Sequence, residues 1–196
     1  MLLISVDRDP SRPYGVSRAL LCPPYTSRAF QMKGSAMHRV PVRQVMQPNV
    51  ITIGPDPLVA DAAQLMEDFD VRRLPVVDEH GCLIGIITDS DVREAESAGS
   101  VLSSYDPSVE AAWLTVADIM TPDVISVTLN ATVGELAAIL SENKIGGVPV
   151  VEPHPDFPKQ NRVVGIVTET DIFALIAAAW RAEIEQDAAR EDSAAG

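Results

Sequence analysis

The feature that most constrains this chain is an internal repeat of short motifs. The segment VRQVMQPNVITI at residues 42–53 returns as VADIMTPDVISV at residues 116–127, an offset of 74. The same offset relates LPVV at 74–77 to VPVV at 148–151. The second copy then gains six residues, in the proline-rich stretch PHPDFPKQNR, so GIITDSDV matches GIVTETDI at an offset of 80. The repeat predicts two copies of one structural unit.

The strand pattern of the repeats predicts the fold class. The β-branched runs Val50–Ile53 and Val124–Val127 each predict a short first strand. Two continuous apolar runs follow, Leu74–Val77 and Leu83–Ile87 in the first copy, and such runs are typical of strands buried on both faces. A small sheet with helices on one face leaves its other face apolar. We therefore predict an α/β (α+β) fold, in which two β-α-β-β-α repeats pack sheet to sheet about a pseudo-twofold axis and form two clefts.

Helix start signals support the same element order. In the first copy, the Asp-Pro pair at residues 56–57 predicts the start of the first helix. In the second copy, Thr132 and Glu135 predict a capping box. The second helix of each copy is expected to begin near Asp89 or Glu169, directly after a strand.

These signals divide the chain into five segments. Residues 40–98 and 115–180 are the two repeats, and residues 99–114 are a connector. Residues 1–39, which contain four prolines and no sustained apolar period, are expected to be disordered. Residues 181–196 are expected to form a frayed C-terminal helix or tail.

Composition and charge exclude several classes of protein. Residues 1–40 carry six Lys or Arg and two Asp or Glu, which leaves −17 on residues 41–196, and this acidic body should repel nucleic acid. The two cysteines, Cys22 and Cys82, give no support for a disulfide framework, so a reducing cytoplasm is expected. No run reaches the roughly 18–20 apolar residues of a membrane helix. An alternative reading of the N-terminus is a start at Met37.

The repeated strings M-x-P-x-V-I-[ST], [LV]-P-V-V and G-I-[IV]-T-x-x-D resemble those of the CBS domain pair, or Bateman module, over about residues 40–180. Within that family the chain resembles the stand-alone bacterial two-CBS proteins, including the acetoin-utilisation type. The resemblance implies that AMP, ADP, ATP or S-adenosylmethionine binds in the clefts. It also implies a homodimer that forms a flat disc of four CBS modules.

The strongest candidate site is the motif Thr-x-x-Asp, which occurs as Thr88 with Asp91 and as Thr168 with Asp171. Each copy lies where a strand passes into a helix. A helix N-terminus attracts phosphate, and a carboxylate accepts well from ribose hydroxyls. By resemblance, the Asp recognises the ribose and the Thr contacts phosphate or ribose. The same spacing is also that of a helix cap.

An arginine pair distinguishes the first copy from the second. Arg72 and Arg73 precede the LPVV string, where family members carry phosphate-binding residues, and Gly146 and Gly147 occupy the matching positions. The alternative for the arginines is an exposed pair in ordinary surface salt bridges. We therefore expect one cleft to hold a phosphorylated ligand. The glycine-lined cleft is expected to be empty, to hold adenosine-like groups, or to leave room for a bulkier group.

Four further positions are candidates for base recognition. Thr52 and Ser126 match on the first strands, where the family contacts the adenine edge. Pro75 and Pro149 are expected to form the walls of the base pocket, and the valines that follow them are expected to serve packing.

Metal binding and catalysis have little support in the sequence. His80 and Cys82 lie close together, and His154 and Asp156 lie in the insert, but this set lacks the further ligands of a closed zinc site. No nucleophile elbow, phosphate loop or dinucleotide motif is present. We therefore expect no metal, no cofactor and no enzymatic activity.

The sequence favours a regulatory module that binds an adenosine-containing ligand and signals to a regulated protein not contained in the chain. The alternative is a structural dimerisation module without ligand affinity. The apolar face Phe173, Ile176, Ala177 and Trp180 of the last helix is a candidate contact surface. Packing of Trp180 against the core is the preferred expectation for that residue.

Overall fold

The computed structural model describes residues 4–5, 37–105 and 114–194. Two 3₁₀ helices, Met37–Arg39 and Val42–Gln44, precede the first strand of the first repeat. The elements of the first repeat and its N-terminal strand are β1 (Ile4–Ser5), β2 (Ile51–Thr52), α1 (Val59–Phe69), β3 (Arg73–Val77), β4 (Leu83–Thr88) and α2 (Asp89–Tyr105). Those of the second repeat are α3 (Val116–Ile119), β5 (Val127–Thr128), α4 (Val133–Asn143), β6 (Gly147–Pro153), β7 (Asn161–Thr168) and α5 (Glu169–Ala194).

The two repeats have the same sheet topology. In the second repeat, β5 is parallel to β6 with Val127 opposite Val150, and β6 is antiparallel to β7. In the first repeat, β3 is antiparallel to β4, and Ile53 extends β2 to pair in parallel with Val76. The predicted class, two β-α-β-β-α repeats of mixed helix and strand, is confirmed.

The first residues of the first repeat pack in the core of the second repeat. Val42 is fully buried in a cluster with residues of β5, α4 and β6. Its amide donates to the carbonyl of Ala131 at 2.7 Å, and the amide of Val133 donates to the carbonyl of Val40 at 2.8 Å. Residues 40–45, which we assigned to the first repeat, therefore complete the apolar core of the second.

In the reverse direction, the segment that leads into the second repeat completes the core of the first repeat, so the two repeats exchange their leading segments. Val116, which matches Val42 at the offset of 74, is fully buried among residues of α1, β3 and β4. Its amide donates to the carbonyl of Pro57 at 2.8 Å, and the amide of Val59 donates to the carbonyl of Leu114 at 2.9 Å. Each repeat therefore depends on the segment that leads into the other, and neither core is closed by its own repeat alone.

The two sheets meet through apolar contacts and short bridges. Val50, Val77 and Val163 form a buried cluster that contains residues of both repeats. Gln47 forms an antiparallel bridge with Ile166 on β7. The matching bridge joins Thr121 to Ile86 on β4, and these contacts follow the pseudo-twofold relation.

Helix starts agree with the prediction in the second repeat and differ in the first. The hydroxyl of Thr132 accepts from the amide of Glu135 at 3.2 Å, and the carboxylate of Glu135 accepts from the Thr132 amide at 2.8 Å, which confirms the capping box. Helix α1 begins at Val59, later than the predicted Asp-Pro start at 56–57. The reason is that the carbonyl of Pro57 accepts from Val116, so this residue pairs with the exchanged segment.

Two helices are longer than expected. Helix α2 runs to Tyr105, past residue 98 where we placed the repeat boundary, and α5 runs to Ala194 through the predicted frayed tail. The Ala, Glu, Gln and Arg residues of α5 are strong helix formers, which explains its length. In the described part of the chain, no helix combines the length and apolar character that a membrane crossing requires.

The structure describes little of the N-terminal extension. Ile4 and Ser5 pair in parallel with Ile51 and Thr52, and residues 37–39 form a 3₁₀ helix. Apart from these residues, the predicted disorder of 1–39 lies outside the described residues. The same holds for residues 106–113 of the predicted connector.

The exchanged valines give a test of the segment swap. Val42→Ala removes two buried methyl groups and should lower the free energy of unfolding by about 2 kcal/mol. Hydrogen exchange should increase in α4 and β6, although residue 42 belongs by sequence to the first repeat. Val116→Ala is the matched control and should increase exchange in α1 and β3. An increase confined to the residue's own sequence repeat in either variant would contradict the exchange.

The capping box of α4 predicts a pH-dependent contribution to stability. Hydrogen bonds from the amide and hydroxyl of Thr132 lower the pKa of Glu135 below its ordinary value. The carboxylate therefore stabilises the fold above its unfolded pKa, and this contribution is lost as pH falls through the folded pKa. Glu135→Gln should lower the unfolding midpoint at pH 7 and have a smaller effect at pH 3. An equal effect at both pH values would refute a role for the charge.

Candidate functional site

The two Thr-x-x-Asp motifs adopt the same hydrogen-bonded geometry. At the end of β4, the amide and hydroxyl of Thr88 donate to Asp91 Oδ2 at 2.8 and 2.7 Å. At the end of β7, the amide and hydroxyl of Thr168 both donate to Asp171 Oδ2 at 2.8 Å. All four residues are half-buried. Each motif therefore holds its carboxylate in a fixed position at the start of a helix.

Backbone amides and hydroxyls at the two helix starts, which we expected to bind phosphate, form hydrogen bonds within the protein. The amide of Asp89 donates to the carbonyl of Arg72 at 3.0 Å, and the amide of Glu169 donates to the carbonyl of Gly146 at 3.1 Å. The threonine hydroxyl donates its hydrogen bond to the aspartate carboxylate. The first amide of each helix is thus bonded to the residue directly before β3 or β6, and fewer donors remain for an anion than a bare helix N-terminus offers.

The two aspartates differ in their second carboxylate oxygen. Asp171 Oδ1 accepts from Gln47 Nε2 at 3.1 Å, a contact across 124 positions of sequence. Thr121 matches Gln47 in the second copy, and among the described residues no hydrogen bond joins Thr121 to Asp91. Gln47 was not predicted as a site residue, because nothing in the sequence of its own repeat indicates a contact with a Thr-x-x-Asp motif. The exchange of leading segments brings it to the other motif.

The two arginines have different surroundings. Arg72 is exposed, whereas Arg73 is half-buried and its Nη1 donates to the carbonyl of Gly147 at 2.9 Å. Burial lowers the pKa of Arg73, while the carboxylates of Glu169 and Asp89 act in the opposite direction. Arg73 therefore reaches across the pseudo-twofold axis to the position that matches its own.

The glycine pair of the second repeat makes room for this arginine. A Cβ atom on Gly146 would lie 2.9 Å from Arg73 Nη2, and one on Gly147 would lie 2.8 Å from Arg73 Nη1. Both distances are shorter than real contacts of a Cβ atom. The guanidinium of the first repeat thus accounts for the lack of a side chain at Gly146. At Gly147, the added Cβ atom would also lie 2.9 Å from the carbonyl oxygen of Val167 and 2.8 Å from Thr168 Cγ2, so the neighbouring strand excludes a side chain there as well. Phosphate binding by the arginines stays a prediction.

The candidates for base recognition also differ between the copies. Thr52 is 1% exposed on β2, whereas Ser126 is half-buried and lines a cavity of about 440 Å³. That cavity lies between the start of β4, the segment 122–126 and the end of the insert. Pro75 and Pro149 are buried in β3 and β6. The valines that follow the prolines are fully buried, as their packing role requires.

A second cavity of about 570 Å³ lies between the end of α4 and the start of α5. Gly146 and Glu169 contribute to its wall. Neither of these two cavities includes Thr88, Asp91 or Asp171. The structure thus brings Ser126 and Gly146 to cavities, and it places the Thr-x-x-Asp motifs at the strand ends outside them.

The histidines serve packing in the described structure. The rings of His80 and His154 lie 4.7 and 5.0 Å from the ring of Phe157, so the insert covers a turn of the first repeat. Cys82 is buried, and desolvation raises the pKa of its thiol. In residues 37–105 and 114–194, no group of three or more His, Cys, Asp or Glu is placed to hold a metal ion.

Curated relatives align with this chain over the repeats. An L-aspartate semialdehyde sulfurtransferase of Methanocaldococcus jannaschii is 33% identical over 134 residues, which are 68% of this chain and 23% of the relative. This chain thus spans about a quarter of that protein's length. A CBS domain-containing protein of Dictyostelium discoideum is 31% identical over 139 residues, which are 70% of this chain and 92% of the relative.

Solved structures share the fold. The CBS domain pair of protein MJ0100, in complex with 5'-methylthioadenosine and S-adenosyl-L-methionine, is 31% identical with a TM-score of 0.57, covering 71% of this chain and 98% of that one. A putative acetoin utilization protein (AcuB) from Vibrio cholerae is 27% identical with a TM-score of 0.60, covering 74% and 96%. CBSX2 in complex with AMP is 26% identical with a TM-score of 0.57, covering 74% and 98%.

The match to a family model agrees with the repeat and with these structures. The model described as CBS domain matches residues 42–98 and 116–178. These ranges contain both Thr-x-x-Asp motifs and both sheets. The chain therefore belongs to the CBS domain family and contains a tandem CBS pair similar to that of AcuB.

Proposed function

We propose that this CBS pair is a regulatory module that binds an adenosine-containing ligand in the clefts between its repeats. The observation that carries the proposal is the pair of matched Thr-x-x-Asp motifs. In each, the threonine holds one carboxylate oxygen at 2.7–2.8 Å and orients the aspartate at a strand end. A fixed carboxylate is a good acceptor for ribose hydroxyls.

The ligand class is supported by related proteins. The MJ0100 CBS pair binds 5'-methylthioadenosine and S-adenosyl-L-methionine, and CBSX2 binds AMP. AMP, ADP, ATP and S-adenosylmethionine all contain the adenosine group that such a cleft reads. We expect binding to shift the packing of the two repeats and thereby to signal to a regulated protein, because a ligand shifts only an equilibrium whose states it binds unequally.

A regulatory role is preferred to an enzymatic one. The sulfurtransferase and the inosine-5'-monophosphate dehydrogenase of M. jannaschii match this chain over only 23% and 22% of their lengths. The matched lengths of 134 and 130 residues are about that of the CBS pair, so the names of these enzymes give no support for catalysis by this chain. The described residues of this chain are accounted for by the CBS repeats and their leading segments.

The second candidate is a structural dimerisation module without ligand affinity. Two contacts favour it. Gln47 bonds to Asp171, and Arg73 fills the space beside Gly146 and Gly147. Both contacts use groups in the second repeat that a ligand would otherwise meet. Among the described residues, no matching contacts are made to Asp91 of the first repeat.

Thermal unfolding distinguishes the two candidates. The full chain is heated with AMP, ADP, ATP, S-adenosylmethionine, adenosine or GTP, because a ligand that binds the folded state raises the midpoint. We expect adenosine compounds to raise it by several degrees and GTP to leave it unchanged. No rise with any compound would favour the dimerisation module.

Variants of Asp91 separate ligand binding from helix capping. Asp91→Asn should abolish most of the ligand-induced rise in midpoint, because an amide accepts less strongly from ribose hydroxyls. Asp118→Asn is the matched control, since Thr115 donates to Asp118 Oδ2 at 2.8 and 2.7 Å in the same geometry, outside the motif. Both variants weaken a cap, and only Asp91→Asn should reduce the rise. Equal rises in the two variants would contradict the site.

We further propose that the CBS pair forms a homodimer through α5. Four apolar side chains lie on one face of this helix, and Trp180, expected to pack in the core, is 60% exposed. The exposed fractions of the others are 62% for Phe173, 46% for Ile176 and 49% for Ile184. A continuous exposed apolar face marks an interaction site, and the twofold pairing of two such helices would bury it.

Sedimentation velocity tests the dimer. The double variant Trp180→Ser with Ile184→Ser should weaken self-association at least about tenfold, because buried Trp side chains dominate interface energies. Ala178→Ser, on another face of α5, serves as the control and should leave self-association unchanged. A wild-type mass of one chain at micromolar concentration would rule out the dimer.

A further inference from the structure

One side chain connects the two Thr-x-x-Asp motifs. Arg73 is the first residue of β3, and its register partner on β4 is Thr88. Its guanidinium donates to the carbonyl of Gly147 at 2.9 Å. Gly147 is the first residue of β6, and its register partner on β7 is Thr168. Arg73 is therefore paired with one motif threonine, Thr88, and its guanidinium bonds to the residue that is paired with the other, Thr168.

The negative charges that act on the guanidinium come from the same two motifs, and the adjacent Arg72 opposes them. Asp89 and Glu169 are the first residues of α2 and α5, and each directly follows a motif threonine. Both carboxylates act on Arg73, and neither forms an ion pair with it within 4.0 Å among the described residues. A displacement of either helix start changes the field at the guanidinium. Arg73 is thus sensitive to both motifs.

The fit around the guanidinium is tight. A Cβ atom on Gly146 would lie 2.9 Å from Nη2 and 3.5 Å from a carboxylate oxygen of Glu169. The half-buried guanidinium therefore fits closely against the backbone of the second repeat. Arg72, the adjacent residue, is exposed and makes no such contact among the described residues.

We infer that Arg73 is a positioning residue that couples the two Thr-x-x-Asp motifs, so that a change at one alters the free energy of the other. The consequence for ligands rests on the proposed function. If both clefts bind an adenosine compound, occupancy of one changes the affinity of the other, and the effect is reciprocal. The coupling itself is a property of the unliganded protein.

A mutant cycle without ligand tests the coupling. The unfolding equilibrium constants are measured for Asp91→Asn, Asp171→Asn and the double variant. In the wild-type background, we expect the double variant to depart from the product of the single effects by about threefold or more. In the Arg73→Met background, the departure should fall within about twofold. Arg72→Met is the matched control and should behave as the wild type.

A variant of Gly146 tests the contact of Arg73 with the second repeat. Gly146→Ala displaces the end of the Arg73 side chain, because the nearest atoms to the new methyl group are side-chain atoms of Arg73 and Glu169. Like Arg73→Met, it should bring the double variant closer to the product of the two single effects. In the Arg73→Met background, it should have no further effect. This variant also serves if Arg73→Met fails to fold.

Two outcomes would overturn the inference. The first is that Asp91→Asn and Asp171→Asn change the unfolding equilibrium constant independently in the wild-type background. The second is that the departure of the double variant from the product of the single effects persists unchanged in the Arg73→Met background. Titration with AMP and with S-adenosylmethionine is a separate readout, in which Arg73→Met should remove cooperativity between clefts. Absence of binding would count against the proposed function only, because the ligand-free cycle decides the coupling.

Discussion

The exchange of leading segments between the repeats is the interaction on which the rest of the structure depends. Val42 closes the core of the second repeat and Val116 closes that of the first, and both are fully buried. Neither core is closed by residues of its own repeat alone. The repeats are thus held in a fixed relation by their cores, and the position of the clefts follows from that relation.

The exchange also explains how two similar repeats acquire different sites. The segment that carries Val42 continues to Gln47, which reaches Asp171 in the second repeat. The matching segment carries Thr121, whose shorter side chain makes no such bond to Asp91 in the described part of the chain. Arg73 and Gly147 are a second matched pair that differs, and they contact each other. Two differences between the copies are therefore enough to make the sites unequal.

Local features were predictable from the sequence, and contacts between repeats were not. The capping box of Thr132 and Glu135 depends on two residues three positions apart, so its pattern is visible in the sequence. The start of α1 was predicted too early because the Pro57 carbonyl pairs with Val116, nearly sixty positions away. Trp180 was expected in the core, but α5 extends past the sheet and leaves it exposed.

The glycine pair shows the same limit on sequence reasoning. Gly146 and Gly147 were expected to line a cleft that is empty, holds adenosine-like groups or leaves room for a bulkier group, since the sequence gives no sign of what lies beside them. The structure fills that space with Arg73, the residue that matches Gly147 in the other repeat. Matched positions of a twofold arrangement can meet at the axis. An offset of 74 between an arginine and a glycine was the one signal of this contact that the sequence contained.

Capping and ligand recognition are compatible uses of the same aspartate. Both hydrogen bonds from Thr88 end on Asp91 Oδ2, so a ribose hydroxyl that donates to Oδ1 would leave the cap intact. At the second motif, such a hydroxyl would compete with Gln47 for Asp171 Oδ1. Under the proposed function, the exchange that stabilises the fold would make ligand binding more costly at the second motif, because the hydrogen bond from Gln47 would have to be replaced there. The free-energy cost of ligand binding would thus differ between the two clefts, although their motifs are alike.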